Sequence, residues 1–285
     1  MRSGNPDSDI TLDTFTYVVL IVLLLIQLFP VAYVFIMSFA DTNGFMPRNF
    51  SVEAYQYIFR TITFVRSIAV SLYITIVGTV ISMLGTILMA YSLSNRQVLG
   101  RRVILFLVTF TMIFSGGMIP TFIIVRNTGL YNSLFALMIP NAISAYNLIL
   151  MKNYFGSLPD ELKESARIDG CHELRLIFQI ILPVSLPILA TIGLFYAVSK
   201  WNIFMDGLLY LRDNRLWPVQ ILLRNIIFSI TGGLGEGGEG LVHFRFSEET
   251  MKCAAIVVAT LPIMLVYPFL QKYFTKGLLM GSVKG

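Results

Sequence analysis

Charged side chains that could do chemistry are concentrated in one stretch. Asp160, Glu161, Lys163, Glu164, Arg167 and Asp169 form a polar island between long apolar runs, followed by Gly170 and then by Ile180-Ile181-Leu182-Pro183. Leu158, Leu162 and either Ser165 or Ala166 share one helical face. Ser157 can cap the helix start, Pro159 suits its first turn, and Asp160 and Glu161 favour its positive end. Gly170 permits a sharp turn or a close approach. The segment predicts a short amphipathic helix, a turn and a second short helix lying against a membrane. Helical physics alone also allows an interfacial helix resting on lipid.

No catalytic set accompanies the island. The sequence has no Gly-x-x-x-x-Gly-Lys-Ser/Thr phosphate loop, so this chain is not expected to bind ATP in the usual way. It has no His-Glu-x-x-His and no Gly-x-Ser-x-Gly. His172 and His243 are expected on opposite membrane faces, and the adjacent Cys171-His172 is one turn position rather than a metal-ligand set. The expectation is a non-catalytic chain with no cofactor and no metal of its own.

The elements that must hold the island are membrane helices. The 285 residues are 56% hydrophobic and only 13% charged, where a soluble domain carries about 25% charged residues; the mean hydropathy is +0.75. Apolar runs exceed the roughly 20 residues needed to cross a bilayer. They are continuous rather than alternating, which selects helices over a barrel. The fold class expected is all-α, a polytopic membrane protein whose six spans run about 13–39, 64–93, 103–125, 131–151, 183–203 and 253–274 of one membrane domain. The first residues are polar and include Asp7, Asp9 and Asp13, so the first span is expected to stay as a helix rather than be cleaved as a signal. The net charge of +5 is mild; basic residues at a membrane usually meet lipid phosphates, and nucleic acid is not implied. Cys171 and Cys253 are expected near opposite faces, which makes a disulfide between them unfavourable.

Arg96, Arg101 and Arg102 in the short 94–102 loop, with no acid, favour a cytoplasmic loop, although Lys and Arg counted over both sides give no clear excess because the 204–252 segment carries several. Both termini and the 152–182 segment then lie inside too. Ser71, Thr75, Gly78, Ser82 and Gly85 form a stripe of small residues that packs either within the bundle or against a partner subunit. Pro30, Pro120, Pro140, Pro187, Pro262 and Pro268 kink spans, as ordinary membrane prolines or around a cavity or gate. Asn141, Tyr146 and Asn147 are polar groups at membrane depth, where such residues face the bundle interior or a water path. Trp201 and Asn202 end the fifth span, suited to the interface or to a sugar ring. Beyond them the glycine run Gly232, Gly233, Gly235, Gly237 and Gly238 cannot hold a helix and reads as an exposed linker or a functional loop.

The spacing Glu164-x-Ala166-x-x-x-Gly170, nine residues, then Ile180-x-Leu182-Pro183 resembles the cytoplasmic "EAA" loop of type I permease subunits of ATP-binding-cassette importers. Ser165 departs from the Ala often found there; both are small. Ser115-Gly116-Gly117-Met118-Ile119-Pro120-Thr121, Leu194-Phe195-Tyr196-Ala197-Val198-Ser199-Lys200-Trp201-Asn202 and Trp217-Pro218-Val219-Gln220 extend the resemblance over nearly the whole chain. They are similar to a branch of carbohydrate-importer permeases associated with aldouronates, alginate and other uronic-acid oligosaccharides, and to the shorter subunit of the maltose type.

The resemblance implies that Leu162, Glu164, Ala166, Arg167, Asp169 and Gly170 belong to a coupling helix seated in an ATPase cleft. It implies a second homologous permease subunit, two ATPase subunits holding ATP and Mg, and an extracytoplasmic sugar-binding protein reached by the glycine loop. The location implied is the bacterial cytoplasmic (inner) membrane. Asn141, Tyr146, Asn147, Trp201 and Asn202 become candidates for the translocation path. Arg126, Lys200, Arg212 and Arg215, at the outer ends of spans, offer a positive potential to an acidic cargo. The alternatives are a secondary transporter or a membrane enzyme without an ATPase partner. Against the former, the spans contain almost no carboxylates and no internal repeat is visible.

Overall fold

The computed structural model describes residues 6–40, 50–230 and 247–282, which are helix, turn and loop apart from one antiparallel bridge between Ala40 and Phe50. The chain divides into two units, one made of 1–61 and 223–260, the other of 62–222 and 261–285.

In the first unit, α1 (Pro6–Met37) is a long apolar helix that runs through Pro30 without a break. Its side chains are largely exposed in the isolated chain, Phe29 by 71%. Such a surface is stable against lipid or another apolar surface, not water. Past its end, Phe39 packs on Phe35, Phe50 and Tyr55 with ring centroids 5.4, 5.1 and 4.9 Å away. The Tyr55 hydroxyl, on α2 (Glu53–Arg60), donates to Ser38 Oγ at 2.6 Å. Thr250 Oγ1 donates to the Ala40 carbonyl at 2.7 Å, and Cys253 is buried against Met37 and Ala40.

The second unit is organised around α3 (Ile62–Ser94). It is followed by α4 (Arg101–Ile113) and α5 (Met118–Asn127), which meet at a 120° bend. The stretch 103–125 is therefore two helices rather than one. The reason lies in Ser115-Gly116-Gly117: Gly117 sits at φ +83, ψ 174, a backbone region essentially reserved for glycine. The stretch 131–151 is also divided, into a short α6 (Phe135–Met138), an irregular 139–144 segment containing Pro140, and α7 (Ala145–Ser157). Then come α8 (Asp160–Ile168), α9 (Glu173–Leu176), a π-helical turn Ile177–Ile181, α10 (Leu182–Val184) and α11 (Leu186–Trp201). The segment Glu173–Val184 turns by 91° into α11 where Pro187 enters the new helix. After α12 (Met205–Tyr210) and a 3-10 turn Asn214–Leu216, α13 (Val219–Ile230) and α14 (Glu248–Ser282) complete the chain; α14 continues through Pro262 and Pro268.

Among the described residues, three helices are long and apolar enough to cross a membrane, Asp13–Met37, Ile62–Ser94 and Glu249–Val266, and the number rises to as many as five if each bent pair counts as one span. Lipid tails are as apolar as leucine, so close packing and hydrogen bonds rather than water exclusion must join such helices. The small residues of α3 serve this purpose within the chain. Ser71 Oγ accepts the Val219 N–H at 2.8 Å. A Cβ on Gly78 would come within 3.3 Å of Lys200 Cδ, and one on Gly85 within 3.2 Å of Ile143 Cδ1. Toward its Ser94 end, α3 shares a core with α7, the π-helical turn and α11, built on Tyr91, Met151, Phe155, Leu176 and Ile188. Toward its start, Ile74 packs with Val125, Leu137, Met138 and Tyr210.

Candidate functional site

The charged island folds as the sequence predicts, with one difference at its start. The residue capping α8 is Pro159, which offers no side-chain cap, with Asp160 and Glu161 in the first turn. Ser157 does not cap α8; its hydroxyl donates back to the Tyr154 carbonyl at 2.8 Å and closes α7 instead. Lys163 pairs with Asp160 at 3.1 Å.

The end of α8 explains Gly170. The Cys171 N–H donates to the Ala166 carbonyl at 2.9 Å and the Gly170 N–H to the Arg167 carbonyl at 3.0 Å. This is the Schellman arrangement, which needs a left-handed residue where Gly170 stands, at φ +75. Among the described residues, no atom outside the glycine and its chain neighbours lies within 4 Å of the position a Cβ would take there. The sharp turn that the sequence allows Gly170 is present.

Ala166 is the anchor of α8. It is 5% exposed and belongs to the core with Leu176 and Ile177. Leu162, Glu164, Arg167, Asp169 and Gly170 are exposed. So Ala166 faces the chain's own core, and the other five face outward. Arg167 Nε donates to Glu173 Oε1 at 2.9 Å, and Tyr91, on α3, donates its hydroxyl to Glu173 Oε2 at 2.7 Å. The Glu173 carboxylate raises the Arg167 guanidinium further above its ordinary value. This pair ties both sides of the turn to α3. Beside α8, Arg96, Gln97, Asp160, Lys163, Glu164 and Arg167 contribute to the lining of a polar cleft of about 410 Å³.

A second concavity, of about 580 Å³, is lined by Asn141, Ile143, Ser144, Tyr146, Asn147, Phe195, Tyr196 and Ser199. Three of the polar path candidates, Asn141, Tyr146 and Asn147, thus converge. Trp201 and Asn202 are not in this lining: Trp201 is buried, and Asn202 is exposed with its amide donating to the Val198 carbonyl at 2.9 Å. Lys200 is not an outward charge either. It is 3% exposed, and its ammonium donates to backbone carbonyls. Arg126, Arg212 and Arg215 are exposed. Gly232, Gly233, Gly235, Gly237 and Gly238 lie outside the described residues. Among the described residues no group of three or more His, Cys, Asp or Glu could hold a metal ion.

The family described as "Binding-protein-dependent transport system inner membrane component" matches residues 8–280. The chain belongs to that family. It is a multi-pass inner-membrane permease component of an ATP-binding-cassette transporter, and as such non-catalytic. The permease is 48% identical over 280 residues to the polygalacturonan/rhamnogalacturonan transport system permease protein YtcP of Bacillus subtilis (strain 168), covering 96% of this chain and 98% of that protein. It is 47% identical over 269 residues to protein LplC of the same organism, covering 91% and 90%. A crystal structure of a bacterial ABC transporter involved in the import of the acidic polysaccharide alginate contains a chain that superposes with a TM-score of 0.87 at 34% identity, covering 96% of the permease and all of that chain.

Sequence reasoning passed over several residues of the permease that the geometry brings forward. Ile168, 85% exposed at the end of α8, and the exposed Leu174 add apolar surface to an otherwise charged face. Tyr91 and Glu173 could not be paired from spacing, because they come from different helices. Ser144, Tyr196 and Ser199 line the cavity with the predicted amides; Tyr196 and Ser199 stand inside a quoted motif, but nothing in the motif tells which of its residues face a cavity.

Proposed function

We propose that this chain is the shorter permease subunit of an ATP-driven importer that passes oligosaccharides from an extracytoplasmic sugar-binding protein into the cytoplasm. One observation carries the reading. α8 is held from behind by Ala166, while Leu162, Glu164, Arg167, Asp169 and Gly170 are turned outward beside an open polar cleft. Here that face seats in one of two ATPase subunits, which hold ATP and Mg. A second homologous permease subunit completes the path. The 152–182 segment and both termini lie on the cytoplasmic side, and the 231–240 glycine run reaches the binding protein.

The cavity holding Asn141, Tyr146 and Asn147 is, in this reading, a wall of the translocation path. Amide and hydroxyl groups there meet sugar hydroxyls by hydrogen bonds worth about 0.5–1.5 kcal/mol net each. Terms of that size suit passage rather than retention. The cargo we infer is acidic, alginate or other uronate fragments. Support comes from the relative named for polygalacturonan, itself a uronic-acid chain, and from the alginate importer. Exposed Arg126, Arg212 and Arg215 supply a positive potential that speeds encounter with a polyanion.

The test is ATP hydrolysis by the complex in proteoliposomes with its binding protein, comparing uronate with neutral oligosaccharides of equal length. Uronate fragments are expected to stimulate hydrolysis. Stimulation by neutral sugars alone removes the acidic cargo, and no response to any oligosaccharide removes the sugar-importer reading.

A further inference from the structure

The cavity wall contains a break that a membrane helix does not make without support. Between α6 and α7, residues 139–144 leave helical geometry around Pro140. Backbone groups freed at membrane depth are costly unless the protein satisfies them. Two residues of α11, one turn apart, do so. Lys200 Nζ donates to the carbonyls of Leu137 at 3.1 Å, Met138 at 3.2 Å and Asn141 at 3.5 Å. An ammonium has three protons to donate, and its three acceptors are the carbonyls of the last two residues of α6 and of Asn141 within the break. Tyr196, four residues earlier, accepts the Ser144 N–H at 3.0 Å and shares a second hydrogen bond with Thr86 Oγ1 of α3 at 2.6 Å. α11 therefore pins the break at both ends.

The consequences reach the cavity directly. Asn141 and Ser144, the segment's own polar residues, are cavity-lining. Ser144 also caps α7 by accepting the Asn147 N–H at 3.5 Å. Gly78 of α3 leaves room for the Lys200 stem. No carboxylate among the described residues lies within ion-pair distance of Lys200; Asp206 Oδ2 accepts instead from Asn141 Nδ2 at 3.4 Å. The Lys200 ammonium is hydrogen-bonded to carbonyls, and the Asp206 carboxylate, beyond ion-pair distance, adds an electrostatic attraction.

We propose that Lys200 and Tyr196 are positioning residues for transport: together they hold segment 139–144 so that Asn141 and Ser144 face the cavity. This rests on reading the cavity as a wall of the translocation path. Neither residue is required to touch the cargo through its ammonium or hydroxyl.

The experiment uses the assembled complex in proteoliposomes, with Cys171→Ala and Cys253→Ala as background and Asn141→Cys, Ser144→Cys or Tyr146→Cys as reporters. The rate of modification by a small thiol reagent is measured with and without Tyr196→Phe, and separately with Lys200→Met. Tyr196→Phe removes a single hydroxyl and keeps the ring, so it is the variant that leaves assembly most intact. We expect modification at 141 and 144 to change about tenfold, the scale of one lost buried hydrogen bond, while Tyr146→Cys on helical α7 changes little. Uptake by the same Tyr196→Phe and Lys200→Met complexes is expected to fall, with Lys200→Arg recovering more than Lys200→Met. Unchanged modification at 141 and 144 in both variants overturns the proposal, as does an equal change at all three reporters. A local change at 141 and 144 with normal uptake supports the positioning contacts and removes the path reading beneath them.

Discussion

Arg167 and Glu173 meet across the Gly170 turn, with the guanidinium Nε 2.9 Å from the carboxylate Oε1. The pair is about half exposed on both sides, so a double-mutant cycle with Arg167→Ala and Glu173→Ala is expected to give a coupling of about 0.2–1 kcal/mol that shrinks with added salt. The larger effect belongs to Tyr91, which fixes the other carboxylate oxygen from α3. Tyr91→Phe changes no residue of α8, yet is expected to speed amide hydrogen exchange over 166–171 and to lower uptake. Exchange unchanged from wild type would show that α8 needs no tether to α3.

Gly170 is held by backbone geometry rather than by crowding. A left-handed conformation costs an ordinary residue roughly 1–2 kcal/mol, and Asn less. Gly170→Asn should therefore retain more uptake than Gly170→Val, with both proteins inserting normally. If Asn and Val are equally damaging, the limiting factor is the space available in a partner cleft rather than the left-handed turn.

Gly207 is held by crowding. A Cβ there would lie 2.6 Å from Ile221 Cδ1. Gly207→Ala is expected to cost about 1–3 kcal/mol, as overpacking does, and Ile221→Val, which removes that methyl, should restore much of it. Thermal unfolding in detergent checks both. A Gly207→Ala protein as stable as wild type would contradict the close approach of α12 and α13.

Cys171 is half-buried and Cys253 buried. An impermeant thiol reagent should leave Cys171 unmodified in intact cells and mark it after permeabilisation, with Cys253 slow in both. Marking of Cys171 from outside would invert the proposed orientation.

What the sequence made legible was whatever local chemistry decides. Acids at a helix start, a small residue at 166 and a glycine at 170 are local signals, and they place α8 and its turn correctly. Ser157 reads as a forward cap, but α8 begins after Pro159 and the Ser157 hydroxyl bonds back to the Tyr154 carbonyl of α7. The break at Gly117 hides inside an apolar run because hydropathy does not register backbone dihedrals. Lys200 reads as an outer charge because its true partners are carbonyls of a distant segment, which no spacing rule connects to it. The stripe on α3 was visible, but its occupants, Lys200 and Ile143, were not.

The central claim is that α8 couples this permease to an ATPase. The direct measurement is co-purification of the affinity-tagged chain from membranes in mild detergent, comparing wild type with the double variant Glu164→Lys and Gly170→Val, and quantifying every co-purifying subunit. ATPase subunits are expected to accompany the wild-type chain and to be lost from the variant while the second permease subunit remains bound. A wild-type chain that purifies without an ATPase, or a variant that keeps the ATPase at full stoichiometry and transports normally, would contradict that claim.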